Sequence, residues 1–322
     1  MVIVVQTELR FFIIDKEDMY IMTDRDLLFF YSIRKKNESL IDTRKRFFKE
    51  LTEIDEDYAN CHKELRVMFK EFNRLCKENN INYFLMGGSC IGAIRTGNPI
   101  PWDLDGDVGM LREDYGKLMS AIQTSSILSI KVVEKEMPIN GNSVSTQRDK
   151  YVAPKIVIKG GSEKIVIDVI IWDRVNIPDG IPRNVFWEIR NAYRNKYLGA
   201  SGMSRLEGLA KGANEFLDSY ANPNGNAIVQ AVESYTSYRS VTLERVMPID
   251  MVFPLKTITF FDEEFPVCNN NEGYIELEWG DIYSVPNFET VKGLRKVQLK
   301  EALSLDFSVL TNILGEGWDS NA

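Results

Sequence analysis

Two neighbouring blocks decide the fold: MGGSCIGAIR at residues 86–95 and PWDLDGDVG at residues 101–109. The apolar run before the first block indicates a strand, and Gly87-Gly88-Ser89 separates this strand from a short helix. Glycines at such a turn let backbone N–H groups approach a phosphate, and the helix N-terminus adds a favourable partial charge. Gly92 and Gly97 have the glycine spacing of a Walker A loop, but Asn98-Pro99 follow where that loop needs lysine and serine or threonine. The block does not match the G-x-G-x-x-G dinucleotide fingerprint either. The first block alone is therefore a weak sign of phosphate binding.

The second block places two carboxylates on one face of a predicted strand. Asp105 and Asp107 are two residues apart, so their side chains project to the same side, about 7 Å apart at Cα. Two carboxylates this close favour a bound cation, although a solvated acidic turn is the alternative for an isolated D-x-D. An EF-hand loop beginning at Asp103 is excluded, since Val108 stands where that loop needs glycine and Asp114 where it needs glutamate.

A third carboxylate, Asp168, lies in the apolar run from Ile165 to Ile171, which is typical of a central strand. An unpaired carboxylate there would be strongly destabilising or would become protonated, so Asp168 requires a partner. A salt bridge to lysine or arginine is one alternative. The favoured alternative joins Asp168 to Asp105 and Asp107 around a divalent metal, as in a two-metal phosphoryl-transfer site.

Length and composition indicate a folded protein of one large domain or two small ones. The chain has 322 residues, 44% of them hydrophobic and 27% charged, and a domain usually has about 150 residues. The net charge of −8 disfavours sequence-independent binding to nucleic acid. No apolar stretch approaches the roughly 18 residues that span a bilayer, and the opening residues do not form a signal-peptide core. We expect a cytoplasmic protein.

The scarcity of histidine and the spacing of the cysteines exclude further classes of site. The single histidine, His62, leaves no zinc site of the H-E-x-x-H type and no Ser-His-Asp triad, and its position predicts an ordinary surface residue of a helix. The four cysteines contain no C-x-x-C pair, which predicts free thiols in a reducing compartment.

The pattern of apolar residues predicts strands and helices in a mixed order. Strands are predicted at residues 2–5, 11–14, 20–22, 83–86, 104–111, 155–159, 164–172, 257–261 and 264–267. Helices are predicted at residues 57–79, 90–95, 112–123 and 274–279, and a polar helical region at residues 183–238. Gly160-Gly161 is predicted to join two strands as a hairpin, so the sheet is mixed.

At this point the sequence resembles the LicD/fukutin family, a branch of the DNA polymerase beta-like nucleotidyltransferase superfamily. The resemblance is carried by the G-G-S-x-x-G-x-x-R block that ends in P-W-D-x-D-x-D. Later pieces agree with it over about residues 60–290, including the strand that bears Lys155. Leu104 and Gly106 interrupt an acidic run that many relatives carry unbroken, and Trp279 stands where the family usually has tyrosine.

The resemblance implies an α+β fold: a nucleotidyltransferase core whose mixed sheet is flanked by helices, with a helical subdomain and an N-terminal addition. The implied parts of the chain are residues 1–57 as the N-terminal addition, 58–182 as the catalytic core, 183–250 as the helical subdomain and 251–322 as the C-terminal hairpin and helices.

The resemblance also implies a reaction. Family members move a phospho-alcohol, such as phosphocholine, phosphoribitol or phosphoglycerol, from a CDP-activated donor to a glycan hydroxyl and release CMP. The glycan acceptor is free or lipid-linked, and peripheral contact with the inner membrane face is left open. The alternatives are nucleotidyl transfer with release of pyrophosphate and a non-catalytic module that binds a nucleotide or glycan. The oligomeric state is left open.

The implied site residues follow the family motif. Asp105, Asp107 and Asp168 hold Mg²⁺, two ions in all with Mn²⁺ as the alternative, and Asp168 helps to deprotonate the attacking hydroxyl. The implied substrate-binding residues are Gly87, Gly88, Ser89, Arg95, Asp103 and Lys155. Of these, Arg95 and Lys155 neutralise the diphosphate, and Asp103 orients Arg95 or a metal-bound water, or else caps a turn.

Aromatic side chains in the predicted helical region are candidates for stacking on a sugar or enclosing a choline ammonium group, with packing in the core as the alternative. These side chains are Phe186, Trp187, Tyr193, Tyr197, Tyr235 and Tyr238.

Overall fold

The computed structural model describes residues 3–7, 10–14, 24–50, 56–138, 148–160, 165–234 and 245–284. Contacts divide the chain into two compact units: a larger one of residues 60–280, and a smaller one of residues 1–59 together with residues 281–322. No helix in the described ranges has the length and apolar character needed to cross a membrane.

Strands and helices are interspersed along the chain, which confirms the α+β class. The described strands are β1 (Ile3–Thr7), β2 (Arg10–Ile14), β3 (Phe84–Leu85), β4 (Asp105–Leu111), β5 (Leu128–Pro138), β6 (Arg148–Ile158), β7 (Val166–Val175), β8 (Ala227–Gln230), β9 (Val246–Pro248), β10 (Lys256–Phe260) and β11 (Glu263–Val267). The described helices are α1 (Asp24–Ile33), α2 (Leu40–Glu50), α3 (Glu56–Glu78), α4 (Gly87–Thr96), α5 (Arg112–Ala121), α6 (Arg183–Asn195), α7 (Arg205–Tyr220), α8 (Ile249–Val252) and α9 (Asn271–Trp279).

A mixed sheet of seven strands organises the larger unit. Its strands are ordered β3-β4-β7-β6-β5, and β8 joins β7 to β9. The pair β4 and β7 is parallel, whereas the other neighbours are antiparallel. β6 pairs with the first half of β7, and β8 pairs with its second half. The predicted hairpin of β6 and β7 is confirmed, and the parallel pair at the centre aligns the two acidic strands.

Helix α3 covers one face of this sheet. Its apolar residues at helical spacing, among them Leu65, Phe69 and Phe72, are buried, as the periodicity predicts. A Cβ atom at Gly106 of β4 would lie 2.5 Å from the ring of Phe69. The glycine between the two aspartates of β4 therefore lets α3 pack closely, while Asp105 and Asp107 project to the opposite face.

Two parts of the sheet differ from the sequence prediction. β5, which was not predicted, pairs with β6 over eleven residue pairs from Leu128↔Ile158 to Pro138↔Arg148. The predicted helical region is helical as α6 and α7 only to Tyr220, because Ala227–Gln230 form β8 and return the chain to the sheet. The last hairpin, β10 and β11, and α9 are present as predicted. The four-part division of the chain stays a prediction.

The smaller unit contains the β1–β2 hairpin, which was predicted, and helices α1 and α2. The predicted run at residues 20–22 lies outside the described residues. Phe29, Phe30 and Phe47 meet edge to face with ring centroids 5.1–5.7 Å apart. Arg44 forms an ion pair with Asp281 and lies over the ring of Phe30 at 5.7 Å. An aromatic core and one buried arginine therefore hold this unit together.

Candidate active site

The two acidic strands bring their carboxylates together. Asp107 of β4 lies opposite Asp168 of β7 in the parallel register, and Asp105 precedes Asp107 by two residues on the same face. Lys155 of β6 lies opposite Asp168 in the antiparallel register, and its Nζ forms an ion pair with the Asp168 carboxylate. The structure thus places four residues in one cluster: Asp105, Asp107, Asp168 and Lys155. The salt bridge to lysine, one of the two alternatives for Asp168, is observed.

The glycine turn lies directly against this cluster. The N–H of Gly88 donates to Oδ2 of Asp107 at 3.0 Å, and the N–H of Asp107 donates to Oγ of Ser89 at 3.0 Å. Gly87 has φ +45°, and a Cβ atom there would lie 2.8 Å from Oδ2 of Asp107. A residue with a side chain is therefore disfavoured at Gly87 both by conformation and by space. Helix α4 begins at Gly87, earlier than the predicted start at residue 90, and its N-terminus faces a carboxylate.

Asp103 belongs to the same cluster. A Cβ atom at Gly88 would collide with the side-chain Oδ2 of Asp103, so this carboxylate also faces the first turn of α4. The main-chain N–H of Asp103 donates to the carbonyl oxygen of Ile100 at 2.8 Å, within the turn before β4. Arg95 is in the last turn of α4, about 12 Å along the helix from Gly87. The glycine turn and Arg95 therefore lie at opposite ends of one helix.

His62 holds the main chain of Asp103. Its Nε2 atom lies 2.8 Å from the carbonyl oxygen of Asp103, and because a carbonyl can only accept, the proton is assigned to Nε2. Burial lowers the pKa of His62 below 6.5, and the hydrogen bond to Asp103 opposes this effect. His62 lies on a helix as predicted, but α3 turns this position toward the loop before β4, so its side chain is half-buried.

The carboxylates of the cluster repel one another. Burial raises the pKa of Asp107 well above its ordinary value, and neighbouring negative charges raise it further. The residues that contribute these charges, in decreasing order, are Asp105, Asp103, Asp168 and Glu278. The ionised form of Asp107 is thus disfavoured when no added cation compensates the charges.

A buried chain of three polar side chains, not found by sequence reasoning, leads to the glycine turn. The hydroxyl of Tyr274 donates to Glu278, and Arg245 lies 3.4 Å from the other oxygen of Glu278. The N–H of Gly87 lies 3.4 Å from the same hydroxyl. The spacing of Tyr274 and Glu278 by four residues on a helix was the one available signal, since it places both on one face.

The donor set fits a hard divalent cation. Its side-chain donors are carboxylate oxygens, which suit Mg²⁺ and Mn²⁺. The four cysteines are free, and burial raises the pKa of Cys90, next to Ser89, to about 12, so it supplies no thiolate. Within the described ranges, no three His, Cys, Asp or Glu residues are already gathered in a metal-holding group. Asp105 and Asp107 are the pair that fits an ion best, because Asp168 is bonded to Lys155.

A cavity of about 450 Å³ opens at the other end of the two parallel strands. Its walls include Trp172, Leu217 and Arg112. Arg112 is engaged by Asp173 at 2.5 Å and by Glu233 at 2.6 Å. The cavity therefore lies beside a structural ion network, about five residues along β7 from Asp168.

The aromatic side chains of α6 and α7 mostly pack in a core. Phe186 and Trp187 are buried, and Tyr193 packs against the same apolar cluster. Lys211 makes a cation–π contact with Tyr197, and its Nζ lies 4.2 Å from the ring centroid. Tyr235 and Tyr238 lie outside the described residues. Phe186, Trp187 and Tyr193 therefore pack in the core, which is the alternative to ligand binding. The ring of Tyr197 contacts the ammonium group of Lys211 instead.

Comparison with known proteins finds a family match for the segment that contains Asp103, Asp105, Asp107 and Lys155. Residues 80–164 match the family "LicD/FKTN/FKRP, nucleotidyltransferase domain". This segment is therefore similar to the nucleotidyltransferase domain of the LicD/FKTN/FKRP family, which confirms the resemblance drawn from the motif. Asp168 lies four residues beyond the matched segment.

Individual relatives share short segments with the chain. The lipopolysaccharide cholinephosphotransferase LicD of Haemophilus influenzae is 48% identical over 48 residues, which are 15% of this chain and 18% of that protein. The ribitol 5-phosphate transferases FKRP of Mus musculus and Homo sapiens are each 39% identical over 56 residues, which are 17% of this chain and 11% of those proteins. The alignments thus span less than a fifth of each relative's length.

Proposed function

We propose that this protein transfers a phospho-alcohol from a CDP-activated donor to a hydroxyl group of a free or lipid-linked glycan. The observation that supports this proposal is the cluster of Asp105, Asp107 and Asp168 against the glycine turn of a LicD-family domain. The relatives are named for the transfer of choline phosphate and of ribitol 5-phosphate. Both groups are phospho-alcohols, so the proposed cargo belongs to the same chemical class.

The proposed reaction is a substitution at phosphorus. The glycan oxygen forms a bond to the phosphorus that carries the alcohol, and the bond from that phosphorus to the bridging oxygen breaks. The electron pair of this bond leaves with CMP, and the proton of the attacking hydroxyl passes to a base. Asp168 is the proposed base, because its carboxylate lies beside Asp107 on the next strand.

The chain's own residues supply the surroundings for this step. Asp105 and Asp107 would hold Mg²⁺, which when bound neutralises charge on the phosphate oxygens. Lys155 brings a positive charge to the same cluster through its ion pair with Asp168. The N–H of Gly88 and the hydroxyl of Ser89, now bonded to Asp107, lie at the helix N-terminus where a donor phosphate is favoured.

The experiment incubates the protein and Mg²⁺ with CDP-choline, CDP-ribitol or CDP-glycerol and a glycan acceptor and measures CMP. Asp105→Asn and Asp168→Asn are expected to lower the rate by roughly 10²–10³-fold or more, the effect of losing one transition-state interaction. Asp262→Asn is the matched control, because Asp262 is an 81% exposed carboxylate on the β10–β11 turn. Full activity of Asp105→Asn or Asp168→Asn would overturn the assignment.

A second candidate function is nucleotidyl transfer, since the matching family is described as a nucleotidyltransferase domain. The products separate the two reactions. Phospho-alcohol transfer releases CMP from a CDP-alcohol, whereas nucleotidyl transfer releases pyrophosphate from a nucleoside triphosphate. Nucleotide binding that needs no Mg²⁺ and leads to no turnover would indicate a non-catalytic binding module instead.

A further inference from the structure

Tyr274 is buried beside the proposed transfer site, yet the proposed reaction does not use it. The tyrosine is completely buried on α9, and its hydroxyl donates to Glu278 one turn later. Arg245 lies 3.4 Å from the second carboxylate oxygen, and the side chains of Arg245 and Glu278 are 6% and 10% exposed. A buried carboxylate with a buried cation on one side and a hydroxyl on the other has a defined orientation. The hydroxyl of Tyr274 is therefore held in place.

The same hydroxyl is also an acceptor for a main-chain group at the glycine turn. The N–H of Gly87 lies 3.4 Å from it. Gly87 is the first residue of α4, where N–H groups have no partner within the helix. The hydroxyl proton of Tyr274 is donated to Glu278, so the hydroxyl oxygen acts toward Gly87 as an acceptor. Burial raises the pKa of Tyr274 well above its usual value, which keeps the hydroxyl protonated in this role.

The conformation of Gly87 sets the direction of the next N–H. Gly87 has φ +45°, and the following N–H, that of Gly88, points at Asp107. Ser89 then meets the main chain of Asp107. A shift at Gly87 would therefore move two of the groups proposed to face the donor phosphate. α9 lies beside α4 through Tyr274, so the tyrosine can control this turn from outside the cluster.

We propose that Tyr274, held by Glu278 and Arg245, is a positioning residue that fixes the glycine turn of the transfer site. The hydroxyl sets the orientation of Gly87, and Gly87 sets the direction of the Gly88 N–H. The proposal rests on the proposed function for its effect on turnover. Its effect on the glycine turn stands without substrate.

The test compares Tyr274→Phe with Tyr83→Phe in the full chain. Tyr83 is a matched control, since it is 2% exposed and its hydroxyl donates to Asn73 at 2.8 Å, away from the glycine turn. Amide hydrogen exchange of Gly87 and Gly88, measured by NMR without substrate, is expected to accelerate about tenfold in Tyr274→Phe, as for the loss of one hydrogen bond. In Tyr83→Phe it is expected to remain unchanged.

Kinetics supply the second readout. In Tyr274→Phe, kcat for CMP release is expected to fall about tenfold while KM for the CDP-alcohol changes less than about threefold, because orientation rather than contact is lost. Tyr83→Phe should retain both constants. Unchanged exchange at Gly87 and Gly88 in Tyr274→Phe, or an equal acceleration in Tyr83→Phe, would overturn the proposal.

Glu278→Gln keeps the test decisive if Tyr274→Phe does not fold. The substitution retains the size of the side chain and an acceptor for the hydroxyl but removes the charge that faces Arg245. Exchange at Gly87 should then accelerate in the same direction, and unchanged exchange would contradict the proposal. Failure of the proposed function has a different signature: the wild-type chain would release no CMP, while the exchange results would still hold.

Discussion

Asp107 is the residue on which opposing demands meet. Its main chain binds Ser89, and its carboxylate accepts from Gly88 at the start of a helix, where negative charge is favoured. Burial and the neighbouring carboxylates raise its pKa and disfavour the same charge. The N-terminus of α4 thus compensates the charge of the Asp107 carboxylate only in part. The proposed Mg²⁺ ion would compensate the remaining charge.

The first residue-scale prediction concerns Asp107→Asn. The amide retains an oxygen for the N–H of Gly88 but removes the repelled charge. We expect the free energy of unfolding at pH 7 without Mg²⁺ to rise, because burial and the neighbouring carboxylates disfavour the ionised form of Asp107 in the folded chain. Urea unfolding measures the difference. A carboxyl whose pKa is raised by folding loses its stabilising effect as pH rises, so the gain should shrink toward pH 4. A destabilised variant would contradict the repulsion.

The second residue-scale prediction concerns His62, whose imidazole signals are unambiguous because it is the only histidine. Burial outweighs the hydrogen bond to Asp103, so its NMR titration midpoint should lie below 6.5. The unfolded chain then binds the proton more tightly than the folded chain. Stability from this group is therefore complete above pH 6.5 and is lost as pH falls through the window below it. His62→Gln should remove this pH dependence, and a midpoint above 6.5 would refute the burial effect.

The residues of the cluster were predictable to different degrees. Asp105 and Asp107 follow from strand alternation, and Asp168 follows from its apolar surroundings, so their meeting on one sheet was expected. The contact of Lys155 with Asp168 depends on the register of β6, which is set by long-range pairing that no local pattern encodes. The contact of Tyr274 with Gly87 could not be predicted for the same reason, since the two residues are 187 positions apart in the sequence.

At the scale of elements, α4 is built for close approach at both ends. At its first turn, Gly88 leaves room for the carboxylate of Asp103. Near its last turn, a Cβ atom at Gly92 would collide with the main-chain oxygen of Asn98. Gly97 then ends the helix with φ +70°. The glycines of the first block thus bring a helix N-terminus against the acidic strand, which a residue with a side chain would prevent.

The element-scale prediction compares Gly88→Ala with Gly116→Ala. The methyl group at residue 88 would displace Asp103, whereas nothing lies within 4 Å of a Cβ atom at Gly116 in the middle of α5. We expect Gly88→Ala to destabilise the fold by about 1–3 kcal/mol and to abolish activity. Gly116→Ala should stabilise it by about 0.5–1 kcal/mol, the helix preference for alanine. Thermal unfolding of both variants measures this, and equal effects would contradict the packing of α4.

Elements with a strong period were predictable, and short apolar ones were not. α3 has apolar residues at helical spacing over six turns, and its bounds were found within about one residue. β8 has four residues, all buried, and such a run has no period that separates a strand from a helix. Its identity comes from pairing with the second half of β7, a contact between distant parts of the chain.

For the whole molecule, the net charge of −8 is distributed unevenly, which composition alone does not show. Several of its carboxylates face one another around Asp107, while others form ion pairs, such as that of Asp173 with Arg112. The acidic balance, read at first as a bar to nucleic acid, therefore includes a concentrated negative site. Two bound Mg²⁺ ions would halve the net charge.

The proposed Mg²⁺ site makes a prediction for the stability of the whole chain. A ligand that binds the folded state stabilises it by mass action, by about 2.7 kcal/mol at a hundredfold excess over its dissociation constant. Mg²⁺ should therefore raise the unfolding midpoint, followed by tryptophan fluorescence, more at pH 7.5 than at pH 5, because protons compete for Asp107 as pH falls. NaCl at equal ionic strength should raise it little, since screening acts on all surface charges alike. Asp107→Asn should lose the Mg²⁺ effect while Asp262→Asn keeps it. An equal shift in both variants would place the ion elsewhere on the acidic surface, because the only difference between them is which carboxylate was removed.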